Sequence, residues 1–166
     1  RNNYEIKDIA EGQNGTIWVG TRDYGVFKVP VSNNVVQEKL IKQYHKGEKG
    51  ATKLTHNIIR ELYEDKNEIL WIATNNGLTR MDVKKETFTP FYFNIKDPKA
   101  PKNVLDGAVT SIYGSDDGYL WLGSLSGLIK FNTSDYSYKF FPHQYTVERY
   151  GWGEIIEVVE DHKKNL

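Results

Sequence analysis

The stretch EDKNEILWIATNNGLTRMD at residues 64–82 decides the fold, because two other parts of the chain repeat it. The first copy is EGQNGTIWVGTRDYGVFK at residues 11–28, and the third is GSDDGYLWLGSLSGLIKFN at residues 114–132. Aligned on Trp18, Trp71 and Trp121, the copies are 53 and 50 residues apart. Each copy has a polar turn, an apolar run with the Trp, a small hydroxyl residue and then a Gly. The chain is therefore built from a repeated unit of about 50 residues.

Each unit is predicted to form four short strands. In the third unit the strands are expected near residues 109–114, 119–124, 127–132 and 137–142, with the turn at Asp116, Asp117 and Gly118 joining the first two. In the second unit, residues 87–93 form the outer strand, whose free edge tolerates Pro90. The period and the four strands are typical of β-propeller blades. The predicted fold is all-β, a β-propeller fragment of three four-stranded antiparallel blades plus the start of a fourth.

The units are placed at about residues 4–44, 58–93 and 109–142, with a truncated copy at 154–166, all within one partial propeller domain spanning 1–166. The fourth copy stops just before its Trp is due. Closing a propeller ring takes roughly 4–8 blades. The chain is therefore expected to be a piece of a longer protein, with the remaining blades as its partners.

One pattern favours helix instead. Apolar residues lie three apart in every first strand, a helical spacing: Ile6 and Ile9, Ile59 and Leu62, Val109 and Ile112, Ile155 and Val158. We nevertheless predict strands, because the copies are short, rich in β-branched residues and followed by a turn. For the terminal segment an amphipathic helix at residues 154–164 is the alternative.

The residues that recur in every unit are interpreted as structural. Trp18, Trp71 and Trp121 are predicted to fill the space between neighbouring blades, so that Trp121→Ala would cost about 3–5 kcal/mol. Three further sets of recurring residues are also interpreted as structural. Glycines start the third strand (Gly25, Gly77 and Gly127), and small residues let the next sheet approach (Gly20, Ala73 and Gly123). Hydroxyl residues form hydrogen bonds with the turn backbone (Thr21, Thr74 and Ser124). The alternative is that the tryptophans are stacking platforms for sugars.

The composition excludes several classes of site. Lys plus Arg equals Asp plus Glu, 22 against 22, which gives no electrostatic footprint for nucleic acid or an anionic membrane. The absence of Cys excludes disulfides and thiolate chemistry. The four His have no metal-ligand spacing, and the acidic turns lack the spacing of a calcium loop. No catalytic residue, metal site, cofactor or membrane contact is predicted for this segment.

The motif resembles the two-component regulator propeller repeat. The matching elements are a Val/Ile-x-x-Ile strand, an Asp/Asn-Gly turn, Leu/Ile-Trp-Ile/Val-Gly-Thr and then Gly-Leu-x-Arg/Lys, preceded by LTHNII at residues 54–59. The departures are Glu68 and Ala73, where Gly is usual, and one extra residue between Thr21 and Gly25. The resemblance implies the extracytoplasmic or periplasmic sensor region of a hybrid histidine kinase. It also implies recognition of glycan fragments, signal transduction through the membrane and a homodimeric full-length sensor.

Strand direction predicts where a ligand would bind. In a four-stranded meander, the loops between strands two and three lie on the same face as the blade-to-blade loops, which are here the long ones at residues 45–57, 94–108 and 143–153. Long loops on a rigid scaffold carry binding function. Amphipathic rings and Arg suit sugars and their carboxylates or sulfates. The predicted ligand-binding residues on this face are Tyr145, Arg149, Tyr150, Trp152, Arg22, Tyr24, Asn75 and Asn76; inter-blade packing is the alternative role for the aromatic cluster.

Three classes of function follow from this. The first is a non-catalytic ligand-sensing segment, with an oligosaccharide as the ligand. The second is a protein-interaction or dimerisation platform. The third is a propeller enzyme similar to streptogramin lyase, whose catalytic residues would lie outside this chain.

Overall fold

The computed structural model describes residues 4–47, 54–93, 95, 107–142, 155, 157–159 and 161. These residues form three antiparallel sheets, one per sequence unit, and each sheet is one blade. Blade 1 contains β1 (Ile6–Glu11), β2 (Thr16–Thr21), β3 (Val26–Ser32), β4 (Val35–Val36) and β5 (Lys42–Tyr44). Blade 2 contains β6 (Ile59–Glu64), β7 (Ile69–Thr74), β8 (Gly77–Asp82) and β9 (Thr87–Phe91). Blade 3 contains β10 (Val109–Gly114), β11 (Tyr119–Ser124), β12 (Gly127–Asn132) and β13 (Tyr138–Pro142).

The four-strand prediction is confirmed, and blade 1 adds a small hairpin to it. In every blade the strands pair in chain order, and the fourth strand of blade 1 is β5, which pairs with β3. β4 pairs only with the end of β3, across a two-residue turn at Asn33 and Asn34. Both turn residues have positive φ, 51° and 61°, as the hairpin turns that match strand twist require.

The three repeated tryptophans occupy the same place in their blades. Each is the third residue of the second strand, and its cross-strand partner on the third strand is a cation: Lys28 for Trp18, Arg80 for Trp71 and Lys130 for Trp121. Lys28 Nζ lies 5.6 Å from the centre of the Trp18 ring, within cation–π range.

The first strands share a β-bulge that explains their helix-like spacing. The register of β1 slips between Ile6 and Asp8, and β6 and β10 slip at the equivalent residues. An extra residue in a strand returns side chains three apart to one face. Ile59 and Leu62, three apart, are consequently both buried, at 0% and 5% exposure. The apolar spacing of three is produced by a bulged strand and not by a helix.

The hydrophobic core lies between blades rather than within one. We call the contact between blades 1 and 2 the first seam, that between blades 2 and 3 the second, and that between blade 3 and Ile155 the third. The first seam holds Trp18, Val26, Tyr44, Leu54, Ile59, Leu62, Leu70, Ile72 and Met81. The second holds Trp71 with residues of both adjoining sheets, including Leu78, Val109, Ile112 and Phe131. Each blade is thus stabilised mainly by its neighbour.

Small residues after the Trp allow the close approach. A Cβ added to Gly20 would lie 2.6 Å from Ile59 Cγ2 of blade 2, and one added to Gly123 would lie 2.9 Å from Ile155 Cγ2. Ile155 therefore docks on blade 3 as Ile59 docks on blade 1. The Ile155 N–H also donates to Ser124 O at 3.3 Å. No strand or helix is assigned to the described residues 155, 157–159 and 161.

The tryptophans differ in burial. Trp18 and Trp71 are 0% and 1% exposed, whereas Trp121 remains partly exposed. Trp121 faces the third seam, where the described residues of the fourth copy cover it incompletely. In the 166-residue chain a loss of about 3–5 kcal/mol is therefore expected for Trp71→Ala, and the same value stays a prediction for Trp121→Ala where a further sheet covers the ring.

Candidate functional site

The loops of the described blades sort into two faces. On the first, which we call the loop face, the β2–β3 loop meets the blade-to-blade segment: Gly25 N–H donates to Asn57 O at 3.1 Å, and Lys46 N–H donates to Asn57 Oδ1 at 2.6 Å. On the opposite face, the turn face, the hairpin turns meet each other: Val83 N–H donates to Glu68 O at 3.1 Å and Thr133 N–H to Gly118 O at 3.2 Å. The division is the one that strand direction predicts.

The acidic residues of the turn face serve the turns themselves. Asp65 Oδ1 accepts from the backbone N–H groups of Asn67 at 2.8 Å and Ile69 at 3.1 Å. Its second oxygen accepts from Trp71 Nε1 at 3.1 Å. Trp18 donates instead to Glu64 Oε2 of blade 2, at 2.5 Å. These carboxylates fix turns and buried indole N–H groups, which leaves them little capacity for a ligand.

Four of the predicted ligand-binding residues lie on the loop face, two in each of blades 1 and 2. Arg22 is exposed and forms an ion pair with Glu5, Nη1 to Oε2 at 2.8 Å. The hydrogen bond from Arg22, together with the nearby charge of Lys7, lowers the pKa of the Glu5 carboxyl. The ring of Tyr24 lies edge-on to that of Tyr4, 4.6 Å between centres. Both residues present polar, aromatic surface beside β1.

Blade 2 contributes an amide pair and a cation. The Asn75 Oδ1 atom accepts from Arg60 Nε at 2.5 Å, and Asn76 follows it in the same loop. Arg60 sits at the bulge of β6, as Lys7 sits at the bulge of β1. Bulges re-aim side chains. Sequence analysis missed Lys7 and Arg60 as candidate residues, because the bulge is not visible in the strand pattern.

His56 also belongs to the loop face. Its Nδ1 accepts from the Ile58 N–H at 3.0 Å. Burial and the charge of Lys46 lower the pKa of His56, against an opposing effect of Asp23. The lowered pKa favours the neutral imidazole, which can both donate and accept hydrogen bonds through its two ring nitrogens.

The structure does not test the aromatic part of the predicted site. Tyr145, Arg149, Tyr150 and Trp152 lie outside the described residues. The sugar-platform alternative for the repeated tryptophans fails for Trp18 and Trp71, because buried rings present no face to a sugar.

Carboxylates on the first strands of blades 1 and 2 accept hydrogen bonds from the first strand of the next blade. Asp8 Oδ2 accepts the Leu62 N–H of blade 2 at 2.7 Å, and Glu61 Oε2 accepts the Ile112 N–H of blade 3, also at 2.7 Å. The two acids follow the bulge at the same place in β1 and β6. We call each contact a seam clamp. Burial, together with the charges of Asp8 and Glu157, raises the pKa of Glu61 to about 7, although its hydrogen bond from Ile112 opposes the shift.

The Glu61 clamp predicts a pH-dependent stability. The folded chain holds the Glu61 proton up to about pH 7, whereas the unfolded chain releases it near 4.5. The contribution of Glu61 to the free energy of unfolding should therefore be greatest below pH 4.5. It should be lost as the pH rises through 7, which lowers the free energy of unfolding by about 1–2 kcal/mol after allowance for partial exposure. Glu61→Gln keeps the acceptor for Ile112 but cannot ionise. Urea melts between pH 4.5 and 8 should show a smaller loss in Glu61→Gln than in wild type; equal losses would contradict the prediction.

The described residues contain no group of three or more His, Asp or Glu side chains placed to hold a metal ion. Nor do they include a helix of the length and hydrophobicity needed to cross a membrane.

A protein-family match falls on the first two of the repeated sequence units. Residues 1–23 and 53–76 match the family of the two component regulator propeller. These segments are two-component regulator propeller repeats. The repeats coincide with the β1–β2 hairpin of blade 1 and with the lead-in and β6–β7 hairpin of blade 2. No curated protein matches the chain.

Solved structures with similar folds include extracellular domains of putative two component systems and a lyase. The extracellular domains of two putative hybrid two component systems from B. thetaiotaomicron align with TM-scores of 0.66 and 0.65 and identities of 23% and 20%. The alignments cover 98% and 85% of this chain but only 22% and 19% of those chains. Virginiamycin B lyase from Staphylococcus aureus aligns with a TM-score of 0.62 and 16% identity, over 86% of this chain and 43% of the lyase. These likenesses show the β-propeller fold, and the chain spans about a fifth of the extracellular domains.

Proposed function

We propose that the chain is a non-catalytic, ligand-sensing segment of the extracytoplasmic or periplasmic propeller of a two-component sensor, and that its loop face contributes to the binding of oligosaccharides. The observation that carries the proposal is the contrast between the two faces in a chain of which two segments match the two component regulator propeller. On the turn face, Glu64 and Asp65 accept hydrogen bonds from backbone N–H groups and from the indole N–H groups of Trp18 and Trp71. The loop face holds Arg22, Tyr24, Asn75 and Asn76 at the ends of rigid strands.

The chemistry of the loop face suits sugars. Guanidinium groups bind carboxylates and sulfates in pairs of hydrogen bonds, amides bind hydroxyls, and Tyr packs on a sugar face through its ring. Arg22, with its side chain 59% exposed, already holds a carboxylate at 2.8 Å, that of Glu5. A ligand carboxylate would compete with Glu5 for the same guanidinium.

The proposed partners include the remaining blades of the same protein. In blades 2 and 3 the first apolar residue of the first strand is 0% exposed, whereas in blade 1 Ile6 and Ile9 are 55% and 58% exposed. The seams show what covers such residues, namely a sheet with a small residue after its Trp. A preceding blade would bury Ile6 and Ile9 in this way and contribute to closing the ring.

The face assignment is tested with the full-length sensor region. Arg22→Ala and Asn75→Ala, like Arg149→Ala and Trp152→Ala, should weaken oligosaccharide binding about tenfold or more, because each removes a charged, hydrogen-bonding or stacking contact. Asp116→Asn and Asp117→Asn on the turn face are the matched controls and should act mainly on stability. Isothermal titration calorimetry with neutral, uronic-acid and sulfated oligosaccharides measures the affinities, and thermal melts confirm folding. Loss of binding in the turn variants with unchanged affinity in the loop variants would overturn the assignment.

A protein-interaction or dimerisation platform is the second candidate, and one observation favours it. The hairpin added to blade 1 exposes Val35, Val36, Leu40 and Ile41, at 61%, 47%, 60% and 41%. A groove of about 290 Å³ lies along residues 35–40. Clustered exposed aliphatic side chains are typical of association surfaces.

A further inference from the structure

His56 lies between the β2–β3 loop of blade 1 and the β7–β8 loop of blade 2. The carbonyl of the next residue, Asn57, accepts the Gly25 N–H of the β2–β3 loop at 3.1 Å. The carbonyl of Ile58 accepts the Asn75 N–H of the β7–β8 loop at 3.2 Å. The two residues after His56 thus join the two loops that carry the described ligand-binding residues of the proposed site.

The backbone on both sides of His56 is held in place by hydrogen bonds. Thr55 is 0% exposed; its N–H donates to Thr79 Oγ1 at 3.0 Å, and its own hydroxyl lies 3.2 Å from the same oxygen. On the other side, Asn57 Oδ1 accepts the Lys46 N–H at 2.6 Å. Buried polar groups that are fully bonded hold a chain in a single conformation. The His56 side chain is therefore presented from a fixed backbone, as an ordered ligand contact requires.

The turn at His56 fixes which ring nitrogen carries the proton. The backbone N–H of Ile58 can only donate, so His56 Nδ1, 3.0 Å from that nitrogen, is the unprotonated ring atom. In the neutral imidazole the proton then lies on Nε2. Burial and the charge of Lys46 lower the pKa of His56, against the opposing charge of Asp23, which favours the neutral form. His56 is thus a hydrogen-bond donor that carries no charge.

The donor atom faces solvent. Among the residues that the structure describes, His56 Nε2 has no hydrogen-bond partner. The residue is only partly buried. Within the same described residues, Ser111 Oγ is the one buried side-chain oxygen or nitrogen that lacks a partner, so Nε2 is not a buried atom. Its N–H is available on the loop face to an oxygen of a ligand.

We propose that His56 is a ligand-binding residue of the loop face, whose Nε2–H donates a hydrogen bond to a hydroxyl oxygen of the bound oligosaccharide. The inference rests on the proposed function and adds a contact to it. The contact lies between the guanidinium of Arg22 in blade 1 and the amides of Asn75 and Asn76 in blade 2. A sugar hydroxyl is a neutral acceptor, which suits a donor without charge.

Two substitutions separate the ligand contact from the turn contact. His56→Asn places an oxygen at the position of Nδ1, so it still accepts the Ile58 N–H, but it has no atom at the position of Nε2. His56→Gln carries its N–H as far out as Nε2 and gives up the turn contact. In the full-length sensor region, His56→Asn should weaken oligosaccharide binding about fivefold or more, whereas His56→Gln should stay within about threefold of wild type. Calorimetry with neutral, uronic-acid and sulfated oligosaccharides measures the affinities, and thermal melts confirm folding.

A histidine that only forms the turn would give the reverse result. His56→Asn would then bind like wild type, and His56→Gln would lose stability and affinity together; that outcome would overturn the inference. When Arg22→Ala weakens binding and His56→Asn does not, this contact fails and the proposed function stands. When none of the oligosaccharides binds to wild type, the proposed function fails and this contact with it.

The tautomer is tested separately, in the ligand-free protein. The ¹⁵N chemical shifts of the His56 ring should show a protonated Nε2 and an unprotonated Nδ1, and the Nε2 signal should move when a binding oligosaccharide is added. A proton on Nδ1 in the free protein would overturn this inference without bearing on the proposed function. An Nε2 signal that does not move on saturation with a binding oligosaccharide would also overturn it.

Discussion

Trp71→Ala is expected to lower the free energy of unfolding by about 3–5 kcal/mol, the usual cost of truncating a fully buried Trp. The ring is 1% exposed and lies in the second seam, with its centre 5.8 Å from that of Phe131 in blade 3. Truncation would empty the space between two sheets and leave the Asp65 oxygen that accepts Trp71 Nε1 without its partner. Urea denaturation followed by circular dichroism measures the loss.

Trp121→Ala is the matched control, because Trp121 holds the same position in β11 but is partly exposed. Its ring lies 6.1 Å from that of Phe141 in its own blade and is flanked by Lys130 Nζ at 5.1 Å. In the 166-residue chain a loss of about 1–2 kcal/mol is expected there, in proportion to the smaller apolar area removed from contact. Equal losses in the two variants would show that the rings are stabilised within their blades and not by the seams.

Gly77→Ala is expected to cost about 2–4 kcal/mol, from a strained backbone and a steric clash together. Gly77 has φ +99°, a conformation that L residues rarely adopt. A Cβ there would also overlap Phe91 O, a backbone atom of β9 that cannot move without disturbing its pairing with β8. The equivalent glycines, Gly25 and Gly127, meet the fourth strand of their blades in the same way.

Gly118→Ala separates the two causes. Gly118 has φ +84°, but a Cβ there would meet nothing within 4 Å. Its equivalent in blade 2 is Glu68, at φ +58°, so the turn accepts a side chain. The variant should lose only about 1 kcal/mol. A Gly77→Ala variant as stable as Gly118→Ala in thermal melts would rule out the overlap with Phe91 O.

The local pattern of the sequence was enough to predict the strands. The strands of blade 3 lie at 109–114, 119–124, 127–132 and 138–142, against expected positions of 109–114, 119–124, 127–132 and 137–142. The prediction succeeded because turns, hydroxyl residues and glycines recur at fixed distances in each copy. Thr74 Oγ1 donating to Gly77 O at 3.0 Å and Ser124 Oγ donating to Gly127 O at 2.6 Å are the contacts that those residue types make over a tight turn.

The candidate site was predictable only in part. The loops that share a face followed from strand direction alone, and Arg22, Tyr24, Asn75 and Asn76 lie on that face. Arg60 and Lys7 were missed, since a bulge depends on how a strand pairs with its neighbour and not on its own residues. All three repeated tryptophans were predicted to be buried between blades. The burial of each ring depends on the sheet that follows it, and Trp121 is partly exposed.

By itself, the sequence determined the repeat, the strands, the tight turns and the β-propeller architecture, because these depend on contacts within about 50 residues that recur in each copy. Only the tertiary structure decided what happens between the copies. It showed that an apolar spacing of three belongs to a bulged strand, and that Asp8 and Glu61 clamp one blade to the next. It also showed that Ser111, which pairs with Gly123 in blade 3 as Asp8 pairs with Gly20 in blade 1, has a side-chain oxygen without a hydrogen-bond partner. The physical reason is that the seams bring together residues about 50 positions apart, such as Asp8 and Leu62, and the pattern within a single copy does not contain such a contact.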